Sequence, residues 1–204
     1  MEFLVLAILL ATGVYVLKAR DQRKRIALLA SHLGNYQIEK LMENLTQGYL
    51  RALGESDPER RSQIWSLLQT NEAQLSDQFN RFSAEFSKVD TEAARVSTLP
   101  IALPYADVLL PQASFDVRRA FAIHAQGFAA VANDQLGRTA KDKAFTLSAE
   151  LLLMQHTCHW FCKSRLVASA RMMARHKTAH AQLVASVAPE TRRAYSALVG
   201  AAGL

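Results

Sequence analysis

The sequence predicts an all-α protein: one N-terminal transmembrane helix, then an antiparallel bundle of about four long helices and a short C-terminal helix. Three observations predict this fold class. Residues 3–17 form an uncharged apolar run, apolar residues elsewhere recur at spacings of three and four, and no alternating strand pattern of useful length occurs. The chain has 204 residues, half of them hydrophobic, which is enough to bury a core without disulfides.

Composition excludes several classes of protein. Two cysteines are too few for a disulfide-rich secreted scaffold. Eight glycines and five prolines exclude a collagen-like or low-complexity chain, and the hydrophobic content excludes general disorder. The sequence contains no Gly-x-Ser-x-Gly turn and no Gly-rich phosphate-binding loop. We therefore predict no enzyme activity and assign no cofactor.

Residues 1–19 are predicted to be a membrane anchor. The fifteen uncharged residues cover only ~22 Å at about 1.5 Å per residue, against a hydrocarbon core of about 30 Å. The long side chains of Lys18 and Arg20 extend this short span, because their stems can lie in the apolar layer while their charges reach water. A buried core helix is the alternative for so short a run, but its place beside a basic cluster disfavours that alternative.

The charges that flank the apolar run predict its orientation. A cleavable signal peptide carries basic residues before its apolar core, whereas here only Glu2 precedes the run. By the positive-inside rule, the N-terminus is outside and the following domain is cytoplasmic, in a plasma membrane of the bacterial inner-membrane type. Five basic residues follow the run, and we expect them to contact anionic lipid or a partner: Lys18, Arg20, Arg23, Lys24 and Arg25.

Residues 20–97 are predicted to form a helical hairpin. The first helix continues from the anchor, with a slip of phase near Gly34. Asp57 as a cap and Pro58 in the first turn start the second helix, which we expect to reach about residue 96. The connection is short, so the two helices are antiparallel. The second helix carries a heptad-like stripe that we expect to mediate self-association: Leu75, Phe79, Phe82 and Phe86.

Residues 98–113 are predicted to be an apolar linker. Pro100, Pro104 and Pro111 prevent a continuous helix, because proline lacks the amide donor and restricts its predecessor. The linker is nevertheless rich in Leu, Ile, Val and Tyr. It either packs along the bundle, which we favour, or forms a docking strip for a partner.

Residues 114–204 are predicted to form a second hairpin. Its first helix runs from a cap at Ser114 to about Leu136. Its second helix runs from about Thr139 to Val187, and Pro189 opens a short terminal helix.

Positive charge is concentrated near the C-terminus. Residues 138–204 hold ten basic and three acidic side chains, and the whole chain has a net charge of +6. A helical wheel from Lys163 predicts a basic outer face and an opposite, packed face. Three interpretations of the basic face remain open: it is a solvated surface, it contacts anionic lipid, or it binds a partner. Nucleic acid is not expected, because no aromatic residues interleave the basic ones. The basic face contains Arg165, Arg171 and Arg175; the packed face contains Leu166, Val167, Ala170, Met173 and Ala174.

Histidine and cysteine residues form the one chemical candidate. His124, His156, His159 and Cys162 all fall on apolar stripes, so they could meet in the bundle interior and bind zinc or haem iron. No Cys-x-x-Cys pair and no Glu-x-x-His motif accompanies them. The favoured interpretation is that these histidines donate and accept hydrogen bonds within helix seams.

Two functions follow as hypotheses. The first is a non-enzymatic, single-pass membrane scaffold or tether that binds a protein partner or self-associates on the cytosolic side. The alternative is a membrane-anchored sensor that binds a metal or haem through the core histidines and cysteine.

Overall fold

A computed structural model of the chain describes residues 1–134 and 137–200. Within these ranges it contains nine α-helices and one two-stranded antiparallel sheet, which confirms the predicted all-α class. The elements are α1 (Glu2–Leu33), α2 (Ile38–Gly54), α3 (Pro58–Phe86), β1 (Arg95–Ser97), α4 (Ala106–Leu109), β2 (Ser114–Asp116), α5 (Val117–Ala132), α6 (Ala140–Cys162), α7 (Arg165–His176), α8 (His180–Ser186) and α9 (Pro189–Gly200).

Helix α1 has two parts in different environments. Residues 2–17 are exposed along their whole length, whereas Leu29 is buried in the core. The helix is long and apolar enough to cross a membrane, a test that a signal sequence also passes. The predicted continuation of the anchor into the domain is confirmed as far as Leu33. There the helix ends, and residues 34–37 form a turn before α2.

Helices α2 and α3 form the predicted antiparallel hairpin. The backbone N–H of Gln37 donates to the Gln78 side chain, and further along the pair Gly48 lies against Leu68. Asp57 caps α3 as predicted: its carboxylate accepts from the backbone N–H groups of Glu59 and Arg60, with Pro58 in the first turn. The helix ends at Phe86 and not near residue 96.

Residues 87–116 differ from the sequence prediction. Instead of further helix, the chain turns through residues 87–94 and forms strand β1. This strand pairs with β2, so that Val96 lies opposite Phe115 and both are buried. Helix α5 therefore begins at Val117, after a cap by Asp116 rather than Ser114. Three-residue strands are too short to give a periodic signal.

The last predicted long helix is three helices. Helix α6 ends at Cys162, and the Ser164 side chain caps α7 by accepting from the backbone N–H of Val167. Helix α7 ends at His176, and Lys177 follows it as a C-cap in a left-handed conformation with φ 53°. The terminal helix opened by Pro189 is confirmed as α9. Helix α5 ends at Ala132, with Asn133 as its C-cap, and so stops short of the predicted end near Leu136. Leu136 itself lies outside the described residues, as do residues 201–204.

Aromatic rings from α3, α5 and α6 form the centre of the core. Phe82 and Phe86 both contact Phe121 of α5, with ring centroids 5.1 and 5.0 Å apart. Phe79 contacts Phe128 at 4.8 Å. These edge-to-face contacts add to the burial of each ring, which stabilises the fold by about 1.5–3 kcal/mol per side chain.

Candidate functional site

The predicted self-association stripe is not on the surface. Leu75, Phe79, Phe82 and Phe86 are all 0% exposed. The heptad-like spacing correctly indicated a buried seam, but its partner is α5 of the same chain. The prediction that this stripe joins two copies is therefore wrong, because no apolar surface is left on it for a second molecule.

The four predicted metal ligands do not meet. His124 Nε2 lies 2.9 Å from the Thr157 hydroxyl, and His156 Nε2 lies 3.1 Å from the Ser169 hydroxyl. His159 faces Arg171, whose guanidinium nitrogen lies 3.1 Å from Nδ1. Cys162 lines a groove along α1 instead. In residues 1–134 and 137–200, no group of three or more His, Cys, Asp or Glu could hold a metal ion. The proposed quartet is therefore wrong.

His124 forms part of a buried polar network between α5, α6 and α9. The Thr157 hydroxyl lies 3.1 Å from the Leu153 carbonyl and 3.4 Å from the Tyr195 hydroxyl. When that hydroxyl donates to Leu153, it accepts from the Nε2–H of neutral His124. Burial lowers the pKa of His124 to about 3, so the ring is uncharged near neutral pH. The network therefore connects helices without a charged histidine.

A buried carboxyl group extends this interior. Glu150 is 0% exposed, and its Oε1 accepts from the backbone N–H of Ala188 at 3.0 Å. Burial raises the pKa of Glu150 to about 7, against the smaller opposing effects of Thr191 and the Ala188 N–H. A Cβ at Gly127 would lie only 2.6 Å from Thr191 Oγ1 and 2.7 Å from Glu150 Oε2. Glycine at this position therefore allows α5 to approach α6 and α9.

The basic residues after the anchor divide into an exposed set and one structural residue. Arg20, Arg23 and Lys24 are exposed, and Lys18 is half-buried. Arg25 instead holds the fold together. Its guanidinium pairs with Asp21 at 2.9 Å and Asp107 at 3.4 Å, donates to the Arg95 carbonyl at 2.8 Å, and lies over the Phe161 ring. The prediction that Arg25 contacts lipid or a partner is therefore wrong, because its guanidinium donors are used within the chain.

Helix α7 packs through a different face from the one predicted. Ala168 and Met172 are buried, whereas Met173 is 47% and Leu166 57% exposed. Met172 packs with Leu153, Leu183 and Tyr195 from α6, α8 and α9. The exposed side of α7 is therefore both basic and apolar. Arg165, Arg171 and Arg175 are exposed as predicted, and so are Leu166, Val167, Ala170, Met173 and Ala174.

The arginines of α7 lie at different heights along the domain. Lys163, just before α7, donates to Gln22 of α1 at 3.0 Å, and the Leu166 N–H donates to the Pro100 carbonyl at 2.9 Å. Farther along α7, Arg175 lines a groove with Glu39 of α2. Arg165 is thus at the end of the domain where α1 enters, and Arg175 lies farther along, beside the first half of α2.

The linker is only partly covered. Thr98 bonds to Ala113, and Ala106 is buried, but much of the apolar surface between them and after them faces outward. Packing along the bundle, the outcome favoured from the sequence, therefore does not account for the segment. The exposed apolar residues are Ile101, Leu103, Tyr105, Val108, Leu109 and Leu110.

No family model, curated protein or solved structure matches this chain.

Proposed function

We propose that this chain is a non-enzymatic, single-pass membrane tether whose helical domain lies on the cytosolic side and presents a docking surface to a protein partner. The observation that carries the proposal is the continuity of α1. Its residues 2–17 are exposed and apolar, while Leu29 of the same helix is buried in the domain core. Because one unbroken helix joins them, the domain keeps a fixed relation to the span.

The proposed orientation rests on charge. Arg20, Arg23 and Lys24 are exposed immediately after the apolar run, and Lys and Arg close to a span are retained on the cytoplasmic side. The membrane is proposed to be a bacterial-type inner membrane with the N-terminus outside. The same residues would meet anionic headgroups on that side.

The proposed docking surface is the hairpin tip, which we define as residues 50–67. Leu50 and Leu67 are 68% and 71% exposed, and Leu53 is 52% exposed. Clusters of exposed apolar side chains on a folded domain mark interaction sites. A protein that binds here would be recruited to the membrane without touching it.

If α1 crosses a membrane, the direction of the hairpin supports a tip that lies far from that membrane. The end of α3 meets the end of the cytosolic part of α1, where Phe86 contacts His32, and α2 and α3 extend onward from there. From Leu17 to Leu33 is about 24 Å along α1, and the seventeen residues of α2 add about 25 Å. The tip thus lies up to about 50 Å from the membrane boundary.

Photocrosslinking in native membranes tests the proposal. A photoreactive amino acid replaces Leu67 or Leu50 in turn, and Gln182, which is exposed on α8, is the matched control. We expect a discrete adduct from both tip positions and none from Gln182. An adduct of twice the chain's mass identifies a second copy as the partner, and any other discrete mass identifies a different protein. No adduct at the tip, or equal crosslinking at Gln182, would contradict the proposal.

A further inference from the structure

The linker exposes apolar side chains on one short stretch. Six residues between 101 and 110 are at least 41% exposed, and Leu109 reaches 73%. A soluble surface seldom keeps so many apolar side chains together without a partner. The six are Ile101, Leu103, Tyr105, Val108, Leu109 and Leu110.

Contacts with α1 place this stretch beside the point where the span ends. Asp107 pairs with Arg25, and Pro104, Tyr105 and Val108 line one groove together with Leu17 and Arg20. Along α1, Leu17 and Arg25 are about 12 Å apart. The headgroup layer on each side of a bilayer is roughly 5–7 Å thick. The part of the linker that lies beside Leu17 and Arg20 is therefore at the height of the headgroups if Leu17 ends the span, whereas Asp107, which pairs with Arg25, lies just beyond them.

The N-terminal turn of α7 extends the same surface. The Leu166 N–H donates to the Pro100 carbonyl at 2.9 Å, which joins this turn to the linker. Leu166 is 57% exposed and Val167 37%. Arg165 beside them is exposed and stacks on Trp160. This combination of apolar residues with a cation is typical of segments that lie in a membrane interface.

The groove is lined by three basic and three acidic side chains, so its formal charges balance. Of the lining residues, Arg25 already pairs with Asp21 and Asp107. The remaining lining charges are those of Arg20 and Lys24 against Glu92. Arg20 and Lys24 are exposed and follow the apolar run closely, where an anionic leaflet would attract them.

The exposure of the Tyr105 ring supports the same placement. Tyr105 has φ 60° and ψ 15°, a left-handed conformation that is uncommon for a bulky residue. Its side chain is 62% exposed, so this conformation does not serve to bury the ring in the protein. Tyrosine is enriched where a protein meets the membrane–water interface.

We propose that the 101–110 segment and the first turn of α7 form a second membrane contact, in which their apolar side chains enter the headgroup region and anionic phospholipid headgroups lie against Arg20 and Lys24. This contact rests on the proposed membrane anchor, since it uses the bilayer that α1 crosses. It would fix the tilt of the domain by two contacts instead of one.

Spin-label depth measurements on the full chain in phospholipid vesicles test this contact. Leu109→Cys carries the nitroxide, in a chain whose Cys158 and Cys162 are replaced by alanine. Leu67→Cys is the matched control, because it is also an exposed leucine but lies at the hairpin tip. Leu10→Cys reports on the anchor. Quenching of Leu109→Trp by brominated lipid, measured against the native sequence whose Trp65 and Trp160 supply the background, repeats the measurement with both native cysteines in place.

We expect Leu109 to lie about 5–10 Å into the headgroup and acyl boundary, Leu67 to be in water and Leu10 to be in hydrocarbon. If Leu10 is in hydrocarbon but Leu109 is as accessible to aqueous relaxing agents as Leu67, the second contact is overturned and the anchor stands. If Leu10 is also in water, both are overturned. Vesicles with phosphatidylglycerol should hold Leu109 deeper than pure phosphatidylcholine, and equal depth would overturn the anionic headgroup site.

Discussion

Glu150 is the residue whose titration most directly reports on the interior. Burial raises the pKa of Glu150 from 4.5 to about 7. Between these pH values the native state holds a proton that the unfolded chain has released, so this group lowers the free energy of unfolding as pH rises. Burial lowers the pKa values of His124 and His156 from 6.5 to about 3. Between these pH values both histidines raise the free energy of unfolding as pH rises, because only the unfolded chain is protonated there.

We predict that Glu150→Gln removes the pH dependence due to Glu150 and leaves that due to the two histidines. The variant's free energy of unfolding relative to the native sequence should rise between about pH 4.5 and 7, by at most about 3 kcal/mol, and stay constant above. Denaturant titrations of both proteins in detergent, followed by circular dichroism, measure this difference. A difference that does not change with pH would show that the carboxyl group titrates in the folded state as it does in the unfolded chain, and would contradict the raised pKa.

Residue by residue, the sequence indicated burial better than it indicated partners. His124 and His156 were placed on apolar stripes, and both are 0% exposed. Their partners could not be found, because Thr157 lies 33 positions from His124 and on another helix. A hydroxyl group at that separation leaves no pattern in the sequence.

At the scale of elements, we predicted the helix start that is marked by a capping residue and a proline. We missed the helix break that has no proline or glycine. The cap at Asp57 with Pro58 is visible in the sequence and starts α3. The break between α6 and α7 contains neither proline nor glycine: Lys163 and Ser164 leave the helix because Ser164 caps α7 and Leu166 bonds to Pro100. Such tertiary contacts are not encoded in local propensity.

The orientation of α7 predicts different effects for alanine substitutions at two adjacent methionines. A wheel alone cannot decide between two apolar sides of a helix, and the structure buries Met172 while leaving its neighbour Met173 47% exposed. Met172→Ala should lower the free energy of unfolding by about 2–5 kcal/mol, because it leaves a cavity. Met173→Ala should change it by no more than about 0.5 kcal/mol. Equal effects in thermal or denaturant unfolding would contradict this packing.

At the scale of the whole molecule, we propose that α1 crosses a membrane and that the rest of the described chain lies on one side of it. The fold class and the apolar span followed from composition and periodicity, since both depend on the average character of many residues. The outward face of the linker did not, because exposure depends on what else packs nearby. Its position beside Leu17 and Arg20 links the domain surface to the end of the span.

Paired C-terminal fusions test the proposed membrane topology, in which the helical domain is cytoplasmic. One fusion carries a fluorescent protein that matures only in the cytoplasm, and the other carries a phosphatase that is active only outside. The account predicts fluorescence without phosphatase activity, with both fusions retained in washed membranes, because the basic residues follow the span. Phosphatase activity without fluorescence, or release of the chain from the membrane after cleavage of the apolar segment, would contradict it.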